Sequence, residues 1–160
     1  MCATAALAGV AHSYPEGAPW GAANPDSAQS CASCHFDYDP ERDSSLVSLT
    51  GIPDSAASGE TYQLTVALAP SEAVIAGFML SASAGAFHHA GKGMEANEQD
   101  VRSVVPASAQ GGASWSVTWT APEKHKGEVV FYLAVNGAND DMSAFGDRVY
   151  FNSFILKMGE

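Results

Sequence analysis

Residues 60–68, ETYQLTVAL, alternate Tyr62, Leu64, Val66 and Leu68 against Gln63, Thr65 and Ala67, the period of two that marks a strand buried on one face. Residues 114–120, SWSVTWT, repeat the pattern, with Trp115, Val117 and Trp119 set against Ser114, Ser116, Thr118 and Thr120. Working outward, further strands are expected in SLVSLTG (45–51), AGFMLSAS (76–83), EVVFYLAVN (128–136) and DRVYFNSFIL (147–156), and a shorter one in DVRSVV (100–105). The segments between them, IPDSAASG, SAGAF, SAQGGAS, TAPEKHKG and NGANDD, carry the Gly, Pro, Asn, Asp and Ser of turns. No segment sustains a 3.6-residue apolar period with caps at both ends. The expectation is an all-β fold, an immunoglobulin-like antiparallel β-sandwich of about seven strands over residues 45–160.

Ahead of the sandwich the composition changes. Residues 12–44 are short of aliphatics and rich in Pro, Gly, Ala, Ser and Asp, which reads as an irregular arm without a core of its own. Residues 1–11, MCATAALAGVA, are small and apolar and end in a small-x-small pattern, so they read as the remnant of an export signal cleaved after Ala11. A lipidated Cys2 is the alternative. No other stretch reaches the roughly 18–20 consecutive apolar residues that spanning a bilayer needs. Over 160 residues, 46% are apolar and 16% charged, with 18 acidic against 7 basic side chains and a formal charge of -11. That surplus repels phosphate backbones and anionic lipid. Nucleic acid and membrane surfaces are therefore poor candidates as partners, no membrane span is expected, and the protein is expected to be exported, in the periplasm, outside the cell or at its surface.

Several stretches together carry a resemblance: TGIPDSAASGETYQLTVAL (50–68), GFML (77–80), SWSVTWTAP (114–122), and GEVVFYLAVNGAN (127–139) followed by Gly146-Asp147. The chain resembles the bacterial choice-of-anchor V domain, which is itself similar to the reeler domain. The resemblance implies a strand-rich sandwich of an exported bacterial protein, commonly preceded by a short segment ending in C-x-x-C-H. SCASCH (30–35) stands in that place here.

In Cys31-Ala32-Ser33-Cys34-His35, two thiols and the adjoining imidazole have the spacing for covalent haem attachment, with Cys31 and Cys34 as thioethers and His35 as the proximal iron ligand. The competing reading is a Cys31–Cys34 disulfide in an oxidising compartment, within a non-catalytic binding or adhesion module whose loops do the recognising. A redox dithiol lacks its usual βαβ setting. A structural zinc lacks a second ligand pair. Trp20, Phe36 and Tyr38 flank the motif in an arm otherwise made of small residues. Flat aromatics suit the cover of a porphyrin face, and equally the docking of the arm onto the sandwich.

A single haem c acting in electron transfer with an unidentified redox partner protein is the function expected from these residues. The group opposite His35 must then come from the sandwich, which offers His88, His89, Met94, Met79, His125 and Met142. Met79 is the odd apolar residue on the Met79, Ser81, Ser83 face of its strand. His88 and His89 put two imidazoles side by side in one loop. The expected order is His89, His88, then Met94 and Met79; without any of them the iron is five-coordinate or borrows a ligand from another subunit. The acidic runs DYDPERD (37–43) and NGANDDMSAFGD (136–147) lack EF-hand spacing and read as solvated loops rather than calcium sites. A free amino-terminal His12 could chelate copper only with a matched second histidine. No G-x-S-x-G elbow, phosphate loop or dinucleotide fingerprint occurs.

Overall fold

A computed structural model describes residues 17–88 and 91–159. Cys2, His12, His89 and the whole of the expected signal remnant lie outside the described residues. Eleven strands occur among the described residues, in chain order β1 (Val47–Thr50), β2 (Ser55–Ala56), β3 (Thr61–Leu68), β4 (Ile75–Ala82), β5 (Ala86–Phe87), β6 (Met94–Ala96), β7 (Asp100–Ser103), β8 (Ala107–Ser108), β9 (Ala113–Thr120), β10 (Glu128–Ala138) and β11 (Arg148–Met158).

The seven expected strands are β1, β3, β4, β7, β9, β10 and β11. The other four, β2, β5, β6 and β8, are two or three residues long and sit in or beside segments that read as turns. Pieces this short carry no periodicity; the neighbouring ladder creates them. β2, for example, exists because Ser55 and Ala56 lie beside Lys157 and Met158 at the end of β11. That contact is parallel, so the larger sheet is not purely antiparallel.

The smaller sheet runs β1-β3-β9-β5 and the larger β2-β11-β10-β4-β7-β6, with β8 pairing a second stretch of β4. Their inner faces meet on one core, which contains Leu64, Val66, Val117 and Trp119 from the small sheet and Phe78, Leu80, Phe131, Leu133 and Val135 from the large one. The alternating positions of residues 60–68 and 114–120 therefore point where their period says.

The outer face of the large sheet is where the arm lies. Met79 of β4, Ala134 of β10, and Val149 and Phe151 of β11 pack there against Ala22 and Ala23, all buried, with Ala18, Cys31, Ala32 and Tyr132 around them. This explains two features of the sequence. EVVFYLAVN reads as nearly continuous apolar residues because β10 is covered on both faces, and Met79, apolar on a polar-looking face, is covered by the arm and fully buried.

Backbone pairing fixes the arm as well. Glu41 forms a parallel bridge with Tyr150, with Glu41 N donating to the Val149 carbonyl at 2.9 Å and Phe151 N to the Glu41 carbonyl at 2.8 Å. Asn152 then donates its side-chain N–H to the Ser44 carbonyl at 3.1 Å. These bonds pair the first half of β11 along the edge away from β10, as β2 pairs its last two residues.

Arg102 of β7 is the second fastening. Its guanidinium donates to the Ala18 carbonyl, binds Glu95 Oε2 at 2.8 Å, and lies over the Trp20 ring at 4.1 Å. Replacing Arg102 by alanine removes a charge-assisted hydrogen bond and a cation–π contact together, and is expected to weaken arm docking by about 1–3 kcal/mol. Limited proteolysis with mass readout checks this: cuts within residues 17–44 should come earlier than in the parent while the sandwich stays whole. Unchanged cleavage order and rate would show that Arg102 does not hold the arm.

Candidate functional site

A cleft of about 630 Å³ opens between the arm and the outer face of the large sheet. Its floor holds Ile75, Gly77, Met79, Ala134, Asn136 and Ala138, and its arm side includes Ala18, Ala28, Cys31, Cys34 and His35. The space exists because the floor positions facing the arm include glycine and alanine, so the sheet cannot fill it. A volume of this size lies within the roughly 300–1,000 Å³ of small-molecule and cofactor sites.

The motif is shaped by a 3-10 turn over Cys31–Ser33. Cys34 N and His35 N both donate to the Cys31 carbonyl, at 3.4 and 3.2 Å, while Cys31 N donates to the Ala22 carbonyl at 3.1 Å. Residues three apart eclipse in this conformation, so Cys31 and Cys34 fall on one side, with His35 directly after them. Both thiols are free and half-buried; the disulfide alternative is not realised in this geometry. Burial pushes the Cys31 thiol up to about 12, with Cys34 adding in the same direction. A thiol held protonated at neutral pH is a weak nucleophile.

His35 is held from behind. Its Nδ1 lies 2.8 Å from Oδ2 of Asp147, a side chain only 3% exposed. The amide nitrogen of Asn136 lies 3.4 Å from the same Nδ1 and 3.1 Å from Asp147 Oδ2. Two N–H donors cannot face each other, so the shorter, charge-assisted bond assigns the proton: Nδ1–H donates to the carboxylate, as does the Asn136 amide. Nε2 is left with its lone pair available to a metal. Asp147 Oδ1 and Asn136 Oδ1 are buried without a hydrogen-bond partner. A buried carboxylate oxygen without a partner is costly.

The other sequence candidates are distributed differently. Trp20, Phe36 and Tyr38 do not line the cleft: Trp20 stacks on Arg102, Tyr38 lies 4.1 Å under Arg148, and Phe36 meets Phe145 edge-on with centroids 6.0 Å apart. All three therefore dock the arm onto the sandwich, because cationic and aromatic side chains of the strands and loops stand opposite them. His88 is likewise not at the cleft. It follows β5 on the small sheet, and its Nε2 shares a 2.7 Å hydrogen bond with Thr120 Oγ1. Met94 packs at the edge of the inner core. Met79 does line the cleft floor, as its face of the strand suggested. His125 engages the Glu128 carbonyl at 3.1 Å in a distant turn.

Asn136 and Asp147 were legible only as members of an acidic loop, with nothing in their spacing to couple them to His35. Among the described residues, no group of three or more His, Cys, Asp or Glu side chains could hold a metal ion among themselves. Two carboxylates of the first acidic run make structural bonds: Asp37 accepts from Gly146 N at 3.1 Å and Glu41 from the Ser44 hydroxyl at 2.6 Å.

No family model matches the chain, and no curated protein matches it. Among solved structures it is similar to the human F-spondin reeler domain (fragment 1), at 19% identity and a TM-score of 0.57, over 77% of this chain and 95% of that one. A crystal structure of the Reelin-N domain of F-spondin matches at 19% identity and a TM-score of 0.57, over 79% of this chain and 95% of that one. A second human F-spondin reeler fragment matches at 19% identity and a TM-score of 0.52, over 75% and 96%. The fold is reeler-like, as the sequence resemblance implied, and the likeness at this identity is one of fold.

Proposed function

We propose that this chain is an exported binding module whose cleft between arm and sandwich receives one haem c, attached through Cys31 and Cys34, and that it carries electrons to a partner protein. The observation that carries the reading is the coincidence of a 630 Å³ cleft with two free thiols and an imidazole whose other nitrogen is anchored to a buried carboxylate. The residues fit the group. Cys31 and Cys34 would hold the group as thioethers, each S–H adding across a vinyl C=C with sulfur to one carbon and hydrogen to the other, so that attachment would need no oxidant and no leaving group. His35 presents Nε2, and Asp147 holds the Nδ1 proton and the ring orientation. Met79, Ala134 and the neighbouring small residues exclude water from the floor. When bound, the haem supplies a one-electron couple. Export is supported by the apolar leader-like residues 1–11.

Co-expression with a cytochrome c maturation system tests the proposal. The exported protein should be red, and its denatured mass should include one haem. The Cys31→Ala/Cys34→Ala variant should lose the covalent increment completely while keeping the β spectrum of the parent in circular dichroism. A folded, colourless parent with no added mass would refute the haem.

A second reading has its own support. The reeler-like fold, together with a cleft of largely apolar lining, suits a non-catalytic binding or adhesion module that takes an apolar ligand without haem. The colourless outcome of the same experiment selects it.

A further inference from the structure

Phe36 and Phe145 meet edge-on with centroids 6.0 Å apart, and yet 58% and 56% of their surfaces stay exposed. Fastening the arm uses one side of each ring; the rest is apolar surface of two neighbouring rings in water. Contiguous exposed apolar surface needs an explanation that a single exposed side chain does not. Phe36 directly follows Cys34 and His35, and Phe145 directly follows Ser143 and Ala144, all four of which line the cleft. The pair therefore stands at the rim of the cleft, one ring from the arm and one from the loop joining β10 to β11.

Carboxylates surround it. Asp37 accepts from Gly146 N at 3.1 Å, which sets it beside Phe145, Asp140 and Asp141 line the cleft from the same loop, and Asp39 follows on the arm. All four are exposed. Bonds from Ser143 hold the Asp141 carboxyl below the usual carboxylate range, so its charge persists in mild acid. The arginines of this region are engaged, Arg42 with Asp26 at 3.0 Å and Arg148 over the Tyr38 ring. Neither segment, 36–41 or 139–147, contains a lysine. Lys124, Lys126 and Lys157 lie at the other end of the β10–β11 hairpin, where Glu128 pairs with Lys157, about 35 Å away along β10.

We infer that this rim is a docking surface for a basic protein, one that sets an apolar contact on the Phe36–Phe145 pair and rings it with lysine and arginine. An apolar centre within a polar border is the ordinary anatomy of a protein interface. The signs choose the partner: a second copy of this chain, with its formal charge of -11, brings like charge to the rim, whereas a basic surface is attracted and oriented by it. That the partner exchanges electrons rests on the haem reading above; that it docks here does not.

The test uses the full chain without cofactor, isotope-labelled, and mitochondrial cytochrome c as a lysine-rich probe. Amide shifts should concentrate on residues 36–41 and 139–147, and the dissociation constant from calorimetry should rise steeply with salt, because exposed charges are screened. Phe145→Ala should weaken binding roughly tenfold at unchanged salt dependence. Asp39→Asn/Asp140→Asn should weaken it roughly fivefold with a shallower salt dependence, and Glu60→Gln/Glu123→Gln, which removes the same charge at the far end, by less than about twofold. Equal losses for the two double variants would reduce the contact to bulk charge attraction and overturn the surface, as would shifts centred elsewhere, self-association of the parent through the rim, or no binding at all. A chain that docks in this manner but stays colourless after maturation loses the haem and keeps the surface; one that takes up haem and fails here does the reverse.

Discussion

If the haem proposed above is attached, Asp147→Asn is expected to raise the reduction potential by about 60–120 mV, taking a ten- to hundredfold effect of an outer-shell partner and the one-electron conversion of about 59 mV per tenfold. The sign follows from the hydrogen bond. A buried carboxylate 2.8 Å from Nδ1 draws on that proton, makes Nε2 a stronger donor, and so favours the more highly charged ferric iron. The amide keeps the shape and still accepts the N–H, but without the charge, and the ferric state loses its advantage. Voltammetry of parent and variant gives the answer directly. An unchanged or lowered potential would show that Asp147 does not tune His35.

The same carboxylate can be probed without any cofactor. Asp147→Ala leaves His35 N–H and the Asn136 amide facing an empty buried position, and should destabilise the cofactor-free chain by about 1–3 kcal/mol in denaturant unfolding. A neutral result there would mean that the dyad is solvated rather than buried.

The second large effect concerns the fold. Trp119→Ala should destabilise the sandwich by about 3–5 kcal/mol, a large part of the roughly 5–15 kcal/mol that an ordinary domain possesses. Trp119 is fully buried, meets Phe131 edge-on with centroids 5.0 Å apart and Tyr62 at 6.1 Å, and donates Nε1–H to the Ala84 carbonyl at 3.1 Å. Its removal creates a cavity between the two sheets and strands a carbonyl. Trp119→Phe should recover much of the loss, because the ring volume returns and only the Ala84 bond is absent. Urea unfolding midpoints at unchanged slope measure both; a loss under about 1 kcal/mol for the alanine variant would place Trp119 outside the core.

Met79 and the three arm aromatics show how far the site could be read in advance. Met79 stood out because one apolar side chain among serines breaks an alternation, and a broken alternation is a local signal of a covered outer face. Trp20, Phe36 and Tyr38 gave no such signal: an exposed aromatic is compatible with a cofactor, a cation or another ring, and Arg102, Phe145 and Arg148, which stand against them, are far off in sequence. His88 looked available until Thr120, on the neighbouring strand, took its Nε2. The 3-10 turn of Cys31–Ser33 was invisible for another reason, since three residues have no period.

The sequence by itself determined the seven main strands, the inward face of β3 and β9, and the thiol–imidazole spacing of residues 31–35. Each of these depends on neighbours two to four positions away, where chain geometry leaves little choice. Tertiary structure alone decided that the arm covers the outer face of the large sheet, that Asp147 and Asn136 stand behind His35, and that Met142 lines the cleft. Those contacts join residues about a hundred positions apart, and no local pattern encodes a contact whose partners meet only after two sheets and an arm have packed.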